Sequence, residues 1–360
     1  VSLLFTLNNR HGVVRKLTKE GLRMSRDFAQ RGGMSETASK TAMLTTSPPD
    51  IARAAELLSA GVLVAFPTET VYGLGADATN PQAIASLYAA KGRPQFNPLI
   101  AHVAALDQAL ALGLFSPQAL RLAARFWPGP LTLVVPVHPH GTVCDLARAG
   151  LDSVAIRVPD HPVARALLMA ANRPIAAPSA NRSGHVSAST ARHVQDDLGG
   201  RIAAIVDGGA SPIGVESTIL ACLDDRITML RPGGLARADL ETALGAPIHD
   251  GVADADAPRA PGRLTSHYAP RHALRLNGRE IRPGEALLDF GGKGLPGSAP
   301  VATRDLSPSG NLTEAAANLY TSLRELDSIP NSGIVVSPLP RDGLGEAIED
   351  RLIRAAAPRA

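Results

Sequence analysis

Five short segments between residues 67 and 234 gather side chains suited to binding anions, and none offers an obvious nucleophile. Pro67-Thr-Glu-Thr-Val-Tyr-Gly-Leu-Gly75 sets Thr68, Glu69 and Thr70 directly behind the apolar run Val62–Phe66. Strand ends of this kind are where α/β folds hold ligands; an ordinary strand-to-helix loop with turn glycines explains the run equally well. In Lys91-Gly-Arg93-Pro-Gln-Phe-Asn97-Pro98, two cations end a helix-like stretch. Alone they would be a dipole cap. Pro94 and Pro98 stiffen the loop and aim Arg93 and Asn97, and paired cations on a rigid loop suit a polyphosphate. A triphosphate needs such neutralisation to be held for in-line attack.

Arg157 interrupts the otherwise apolar strand pattern Ser153-Val-Ala-Ile-Arg157, in which Ser153, Ala155 and Arg157 share one face. A guanidinium there is costly unless paired. Its partner is either a ligand carboxylate or an internal acid, and spacing alone leans to the internal acid. Ala177-Pro-Ser179-Ala-Asn181-Arg-Ser-Gly184 supplies short donors that could embrace a base, ribose or phosphate, or merely close an Asx or Ser/Thr turn. Gly214-Val-Glu-Ser217-Thr-Ile and Leu230-Arg231-Pro-Gly-Gly234 add another hydroxyl and another cation at strand ends.

Two weaker signals count against other chemistries. No GxxxxGK[ST] run is present, and Gly292-Lys-Gly294-Leu-Pro-Gly297, though it matches GxGxxG behind a strand, contains Pro296 and is not followed by a helical pattern. A pyrophosphate site needs a helix N-terminus at that point, so the run reads as a loop. His138-Pro-His140 has metal-like spacing but sits in a turn without acidic partners, which suits a structural or solvated pair.

The elements that must position these groups follow from capping and periodicity. Ser47-Pro48 and Asn80-Pro81 open helices that Gly61 and Gly92 close. Further helices fit 117–126, 161–172, 189–198 and 236–244. Strands fit Leu99–Val103, Leu131–Val137, Ser153–Val158, Ile175–Ala177, Ala204–Asp207, Ser217–Cys222 and Ile227–Leu230. Strands and helices mix without regular alternation, so residues 44–247 are expected to form an α/β domain on a mixed, twisted sheet. Residues 248–270, rich in Ala, Asp, Gly and Pro up to Arg263, read as a linker. Residues 271–360 carry strand Ala286–Phe290, helix 313–326, strand Gly333–Val336 and helix 343–356, a small Rossmann-like parallel unit.

Composition bounds the rest. The 360 residues suit two domains, and 45% hydrophobic against 19% charged excludes wholesale disorder. Aromatics at 3% argue against a stacking platform for single-stranded nucleic acid. Cys144 and Cys222 are too few and too far apart for a disulfide framework or zinc ribbon. No apolar run reaches a membrane span, and a cytoplasmic protein is expected. Residues 1–43 hold eight Lys/Arg against three Asp/Glu, whereas 44–360 hold 28 against 30. The net positive charge therefore belongs to a tail that reads as a mobile extension, with Met34 and Met43 as alternative starts.

PTETVYGLG, KGRP with NPLIAH, SVAIRVP, APSANRSG, VESTI and LRPGG occur in this order over residues 62–234. Together they closely resemble the YrdC-like family. The linker ending His267-Tyr268-Ala-Pro270 and the small unit behind it resemble the long, two-domain threonylcarbamoyl-AMP synthases. The resemblance implies a synthase that joins L-threonine, bicarbonate and ATP, with Mg²⁺, into L-threonylcarbamoyl-AMP and pyrophosphate. A separate enzyme would then modify tRNA next to the anticodon. Carried over by position, Thr70, His102, Arg157, Ala177 and Ser217 would bind threonine. Lys91, Arg93, Asn97, Ser153, Ser179, Asn181, Ser187 and Arg231 would bind ATP, and Tyr268 would close over the nucleotide from the linker. Arg263 departs from the apolar residue common in related linkers. The family's concave basic face leaves weak or double-stranded RNA binding as the alternative function, though the net charge of 44–360 favours the enzyme. The hydrogenase-maturation proteins that share this domain need zinc-finger cysteines that the chain lacks.

Overall fold

A computed structural model describes residues 40–94, 97–251 and 267–358 of the chain. Strand β1 (Ala42–Leu44) leads to helix α1 (Pro48–Ser59), where the Ser47 hydroxyl accepts the Asp50 amide and Pro48 fills the first turn. Strands β2 (Val64–Phe66) and β3 (Gly73–Asp77) pair antiparallel around the Pro67–Tyr72 loop. Helix α2 (Pro81–Lys91) is capped by Asn80, which accepts the Gln82 and Ala83 amides, and it stops at Gly92 in the left-handed region (φ 62°). There follow β4 (Ile100–His102), α3 (Leu106–Leu110), α4 (Pro117–Phe126), β5 (Leu131–Pro136), α5 (Asp145–Arg148) and β6 (Ser153–Arg157). Next come α6 (Pro162–Ala171), β7 (Ile175–Ala176), α7 (Ala191–Leu198), β8 (Ala204–Val206) and β9 (Thr218–Ala221). This part closes with β10 (Thr228–Arg231), α8 (Arg237–Leu244) and β11 (His249–Asp250). The C-terminal part is β12 (Leu274–Arg275), β13 (Ala286–Asp289), β14 (Thr303–Asp305), α9 (Leu312–Ser328), β15 (Ile334–Val336) and α10 (Gly345–Ala356).

Strands β1 to β11 form one sheet in the order β1-β8-β2-β3-β7-β4-β6-β5-β9-β10-β11. Parallel pairs such as β4 with β6 are mixed with antiparallel ones such as β5 with β6, which gives the mixed α/β sheet expected from the irregular element order. The C-terminal sheet, β12-β15-β13-β14, is wholly parallel. Fully buried side chains such as Leu87, Leu122 and Leu133 fill the core on one face of the large sheet. Leu58, Phe66 and Leu167 belong to a second cluster under α1 and α6.

Several local expectations change. Strand β1 and the buried Thr41, whose hydroxyl donates to the Ile202 carbonyl (2.7 Å), bring the end of the 1–43 extension into the fold; residues 1–39 lie outside the described residues. Gly73 and Gly75 are strand residues rather than turn glycines. A Cβ on Gly75 would lie 2.9 Å from the Phe66 ring and 3.0 Å from the Val64 carbonyl, so this glycine serves close packing on β2. The start of the expected linker extends the sheet as β11, beside β10. Most of that linker, Arg263 included, lies outside the described residues. The Gly292–Gly297 run is a loop: Gly297 (φ 108°) passes so close to Ile281 that a Cβ would sit 2.5 Å from its carbonyl, and helix α9 begins only at Leu312. The C-terminal unit holds four strands where two were expected, because β12 and β14 are too short to show a period.

The two parts meet closely at Gly214. It has φ 76°, and a Cβ there would lie 2.3 Å from the Ala316 carbonyl of α9. Gly245 has a similar φ of 68° but open space around it. Gly245→Ala is expected to cost about 1–2 kcal/mol from the left-handed backbone alone. Gly214→Ala should cost at least about 2 kcal/mol more, because backbone must move. Urea unfolding of both variants checks the difference, and equal losses would refute the tight seating of α9.

Candidate active site

Adjacent strands deliver the site. His102 and Arg157 are the last residues of parallel β4 and β6 and are partners in register. Ala177 continues β7 and bonds through its amide to the Ile100 carbonyl (3.1 Å). Ser217 precedes β9, and Arg231 ends β10. Thr70 comes from the β2–β3 loop. Around these ends lies a cavity completed by Arg93, Ser179, Glu216, His267 and Tyr268.

Arg157 is buried and already engaged: Nη2 donates to Glu69 Oε1 (2.5 Å), Nη1 to Thr70 Oγ1 (2.8 Å) and Nε to the Gly129 carbonyl (3.3 Å). The internal acid that spacing favoured is therefore present, and it is Glu69. Further N–H groups of the fork remain for a ligand carboxylate, and Arg157 still lines the cavity. Glu69 Oε2 is buried without a hydrogen-bond partner. Thr70 also meets Thr68 Oγ1 (2.8 Å). The His102 Nδ1 faces the Ile100 carbonyl at 3.1 Å; burial, then the charge of Arg157, drive its pKa down to about 3, so the ring is neutral. Ser217 Oγ lies 2.7 Å from Thr132 Oγ1 and accepts from Arg231 Nη2 (3.3 Å).

The cationic side is equally buried. Arg93 donates to the Pro98 carbonyl (3.2 Å), its Nε has no partner, and burial lowers its pKa to about 10. Arg231 Nη2 donates to the Ser217 carbonyl (2.9 Å), and burial lowers its pKa as well. Lys91 does not line the cavity. Its Nζ donates to the carbonyls of Ser179 (2.6 Å) and Asn181, tying the end of α2 to the 179–181 turn; burial, then Arg93, hold its pKa well below the lysine range. Within that turn Ser179 Oγ donates to Asn181 Oδ1 (2.5 Å), and Asn181 Nδ2 reaches the Arg182 and His185 carbonyls. Asn97 is buried, and both its side-chain polar atoms lack partners, an arrangement that calls for a ligand or water. Ser187 stands behind the cavity and donates to Glu216 Oε1 (2.6 Å). Ser153 is not among the lining residues: it begins β6, at the end opposite Arg157.

His267 and Tyr268 close the cavity beside one another, ring centroids 4.1 Å apart. The Tyr268 hydroxyl and His267 Nδ1 are buried without partners. Burial, then Arg93, depress His267 to about 3. Glu216, quoted above only within VESTI, proves central. Burial opposes its ionisation, but Arg351 and Arg231 outweigh that and hold its pKa near 2. Arg351 itself went unnoticed, although the sequence carries a signal: it sits among Ala347, Ile348, Leu352 and Ala355 on the buried stripe of α10.

A cavity at the strand ends of a mixed sheet, ringed by buried cations, defines a binder of anionic substrates. The comparisons narrow this. A family model described as "Telomere recombination" matches residues 56–233, and one described as "Threonylcarbamoyl-AMP synthase, C-terminal domain" matches residues 235–357. The chain is 45% identical over 332 residues to the threonylcarbamoyl-AMP synthase of Bacillus subtilis, covering 88% of this chain and 95% of that one. It is 41% identical over 320 residues to that of Pyrococcus abyssi, covering 85% and 94%. The crystal structure of P. abyssi Sua5 complexed with L-threonine superposes with a TM-score of 0.81 at 36% identity, over 88% of this chain and 98% of that one. The chain thus belongs to the two-domain threonylcarbamoyl-AMP synthase family.

Neutral histidines, the buried His102 and His267 and the half-buried His193 of α7, set an acid limit. His102 and His267 have folded-state values near 3 and His193 near 4, against 6.5 when unfolded. Between pH 6.5 and about 3 the unfolded chain binds protons that the folded chain does not, so their contribution is lost as pH falls through that window. Urea midpoints are expected to drop from pH 7.5 to pH 5, and to drop less in His193→Gln. An equal drop in both proteins would overturn the assignment for His193.

Proposed function

We propose that the chain catalyses L-threonylcarbamoyladenylate synthesis from L-threonine, bicarbonate and ATP. The observation that carries this reading is that Arg157, Arg93 and Arg231 open on one cavity, which supplies a fork for an amino-acid carboxylate and separate cations for a polyphosphate. Thr70, His102, Arg157, Ala177 and Ser217 then form the threonine half. Arg93, Ser179, Arg231 and Tyr268 face the nucleotide. Lys91, Asn181 and Ser187 act one bond behind, by holding Ser179 and Glu216. Asn97 offers its unpaired amide, and Ser153 is the weakest of the assigned nucleotide residues, being at the far end of β6.

The threonine amine takes the one-carbon unit of bicarbonate with loss of water, giving a carbamate. A carbamate oxygen attacks the α-phosphorus in line, the bond to the bridging oxygen breaks, and pyrophosphate leaves. The serine and threonine hydroxyls of the cavity are turned to other groups: Thr70 to Arg157, Ser179 to Asn181, and Ser217 to Thr132. That suits catalysis by positioning and charge neutralisation rather than a covalent enzyme intermediate. Among the described residues no group of acidic, histidine or cysteine side chains gathers to hold a metal. Glu216, which lines the cavity, is occupied by Ser187, Tyr320 and Arg351. These residues do not form a magnesium cage; Mg²⁺ enters with ATP as substrate.

The product would feed the threonylcarbamoyl-transfer machinery that modifies tRNA, in the cytoplasm, with weak RNA contact as an accessory property. Among the described residues no helix is long and apolar enough to cross a membrane. Mass-spectrometric detection of threonylcarbamoyl-AMP and pyrophosphate from the three substrates tests the reading, and an active ATP-binding protein that makes neither would overturn it. Arg157→Ala should raise the threonine KM at least about 30-fold, since losing a buried charged contact costs about 2–5 kcal/mol, with a much smaller effect on ATP. Unchanged threonine KM in a folded variant would remove Arg157 from this role.

A further inference from the structure

We propose that Arg351, on α10 of the C-terminal part, is a positioning residue for the nucleotide half of the site. The inference rests on the synthase reading. Arg351 is fully buried. Its Nε donates to Glu216 Oε2 (2.7 Å), and Nη1 donates to the Pro232 carbonyl (3.0 Å) and to Asp350 Oδ2 (2.7 Å). Its guanidinium carbon lies 5.3 Å from the centroid of the Tyr268 ring.

Each contact fixes a different loop around the cavity. Glu216 accepts from Ser187 Oγ (2.6 Å), so the carboxylate that Arg351 holds in turn sets Ser187. Pro232 directly follows Arg231, so anchoring its carbonyl anchors the cation beside it. The contact with Tyr268 supports the ring that closes the cavity. Helix α9 seconds this grip: the Tyr320 hydroxyl donates to Glu216 (2.8 Å to Oε2), and Arg324 Nε donates to the Ser187 carbonyl (3.2 Å). A point charge on a flexible stem could not serve these directions together, whereas a planar fork does.

Arg351 has a second task that packing alone would not require. Glu216 lines a cavity meant for a polyphosphate, and its negative charge would repel that ligand. The adjoining guanidinium offsets the charge from the protein side, without entering the cavity itself. A buried ion pair gives little stability over apolar packing, so the arrangement is explained by what it does for the loops and for the anion.

The test is titration calorimetry of the full chain with ATP and, separately, with L-threonine. Arg351→Met should weaken ATP at least tenfold and leave threonine within twofold, and Arg351→Lys should fall between it and the unmodified chain. Because Arg351→Met strands a buried Glu216, the double variant Glu216→Gln/Arg351→Met serves as the better-folded check, and it should also bind ATP more weakly than the unmodified chain. Leu352→Ala, a cavity on the same helix, should lower the melting temperature and leave both affinities in place. ATP binding at full strength in Arg351→Met, equal weakening of both ligands, or the same selective ATP loss in Leu352→Ala would each overturn the inference. A chain that binds ATP but yields no threonylcarbamoyl-AMP defeats the synthase reading, while its ATP affinities still decide the role of Arg351.

Discussion

Burying Lys91, Arg93, Arg157 and Arg231 around one cavity is the constraint that the rest of the structure answers. Each guanidinium or ammonium taken from water costs several kcal/mol unless hydrogen bonds and counter-charges replace the solvent. The chain replaces it mostly with backbone carbonyls: those of Ser179 and Asn181 for Lys91, Pro98 for Arg93, Gly129 for Arg157 and Ser217 for Arg231. Carbonyls orient a cation without cancelling its charge. Burial lowers the pKa values of Lys91, Arg93 and Arg231, and an anionic ligand of the kind proposed would favour their charged forms.

The carboxylates are distributed accordingly. Glu69 is given to Arg157, beside the proposed threonine half, and Glu216, which lines the cavity, is given to Arg351, which stands behind it. Arg93 and Arg231 face the cavity at the proposed nucleotide half. The difference between the halves is a matter of charge. A carboxylate ligand needs one fork, which can share a partner, whereas a triphosphate needs several positive groups.

The C-terminal part thereby becomes more than an appendage. Its helices seat on Gly214, on Glu216 and on the Ser187 loop, and the Tyr268 ring lies 5.8 Å from that of Tyr320 in a stacked pair. Apart from the Tyr268–Tyr320 pair, these contacts run between residues more than a hundred positions apart, so the C-terminal helices brace the cavity walls only when both parts are folded.

What the sequence determined by itself was local. Ser47, Asn80 and Gly92 set helix ends because capping depends on neighbours in the chain. The strand of Arg157 was legible because a cation in an apolar period-two run has no local explanation. Six motifs in order were enough to name the family, and most lining residues fall within them. Tertiary structure decided the rest. It chose Glu69 as the acid for Arg157 and turned Gly75 from a turn residue into a packing residue. It also made Lys91 a bracket rather than a wall of the cavity. Glu216 and Arg351 lie 135 positions apart, and only Arg351, on the apolar stripe of α10, carries a local signal. Their pairing carries none, because periodicity shows which face a residue occupies and says nothing about which distant face will be packed against it.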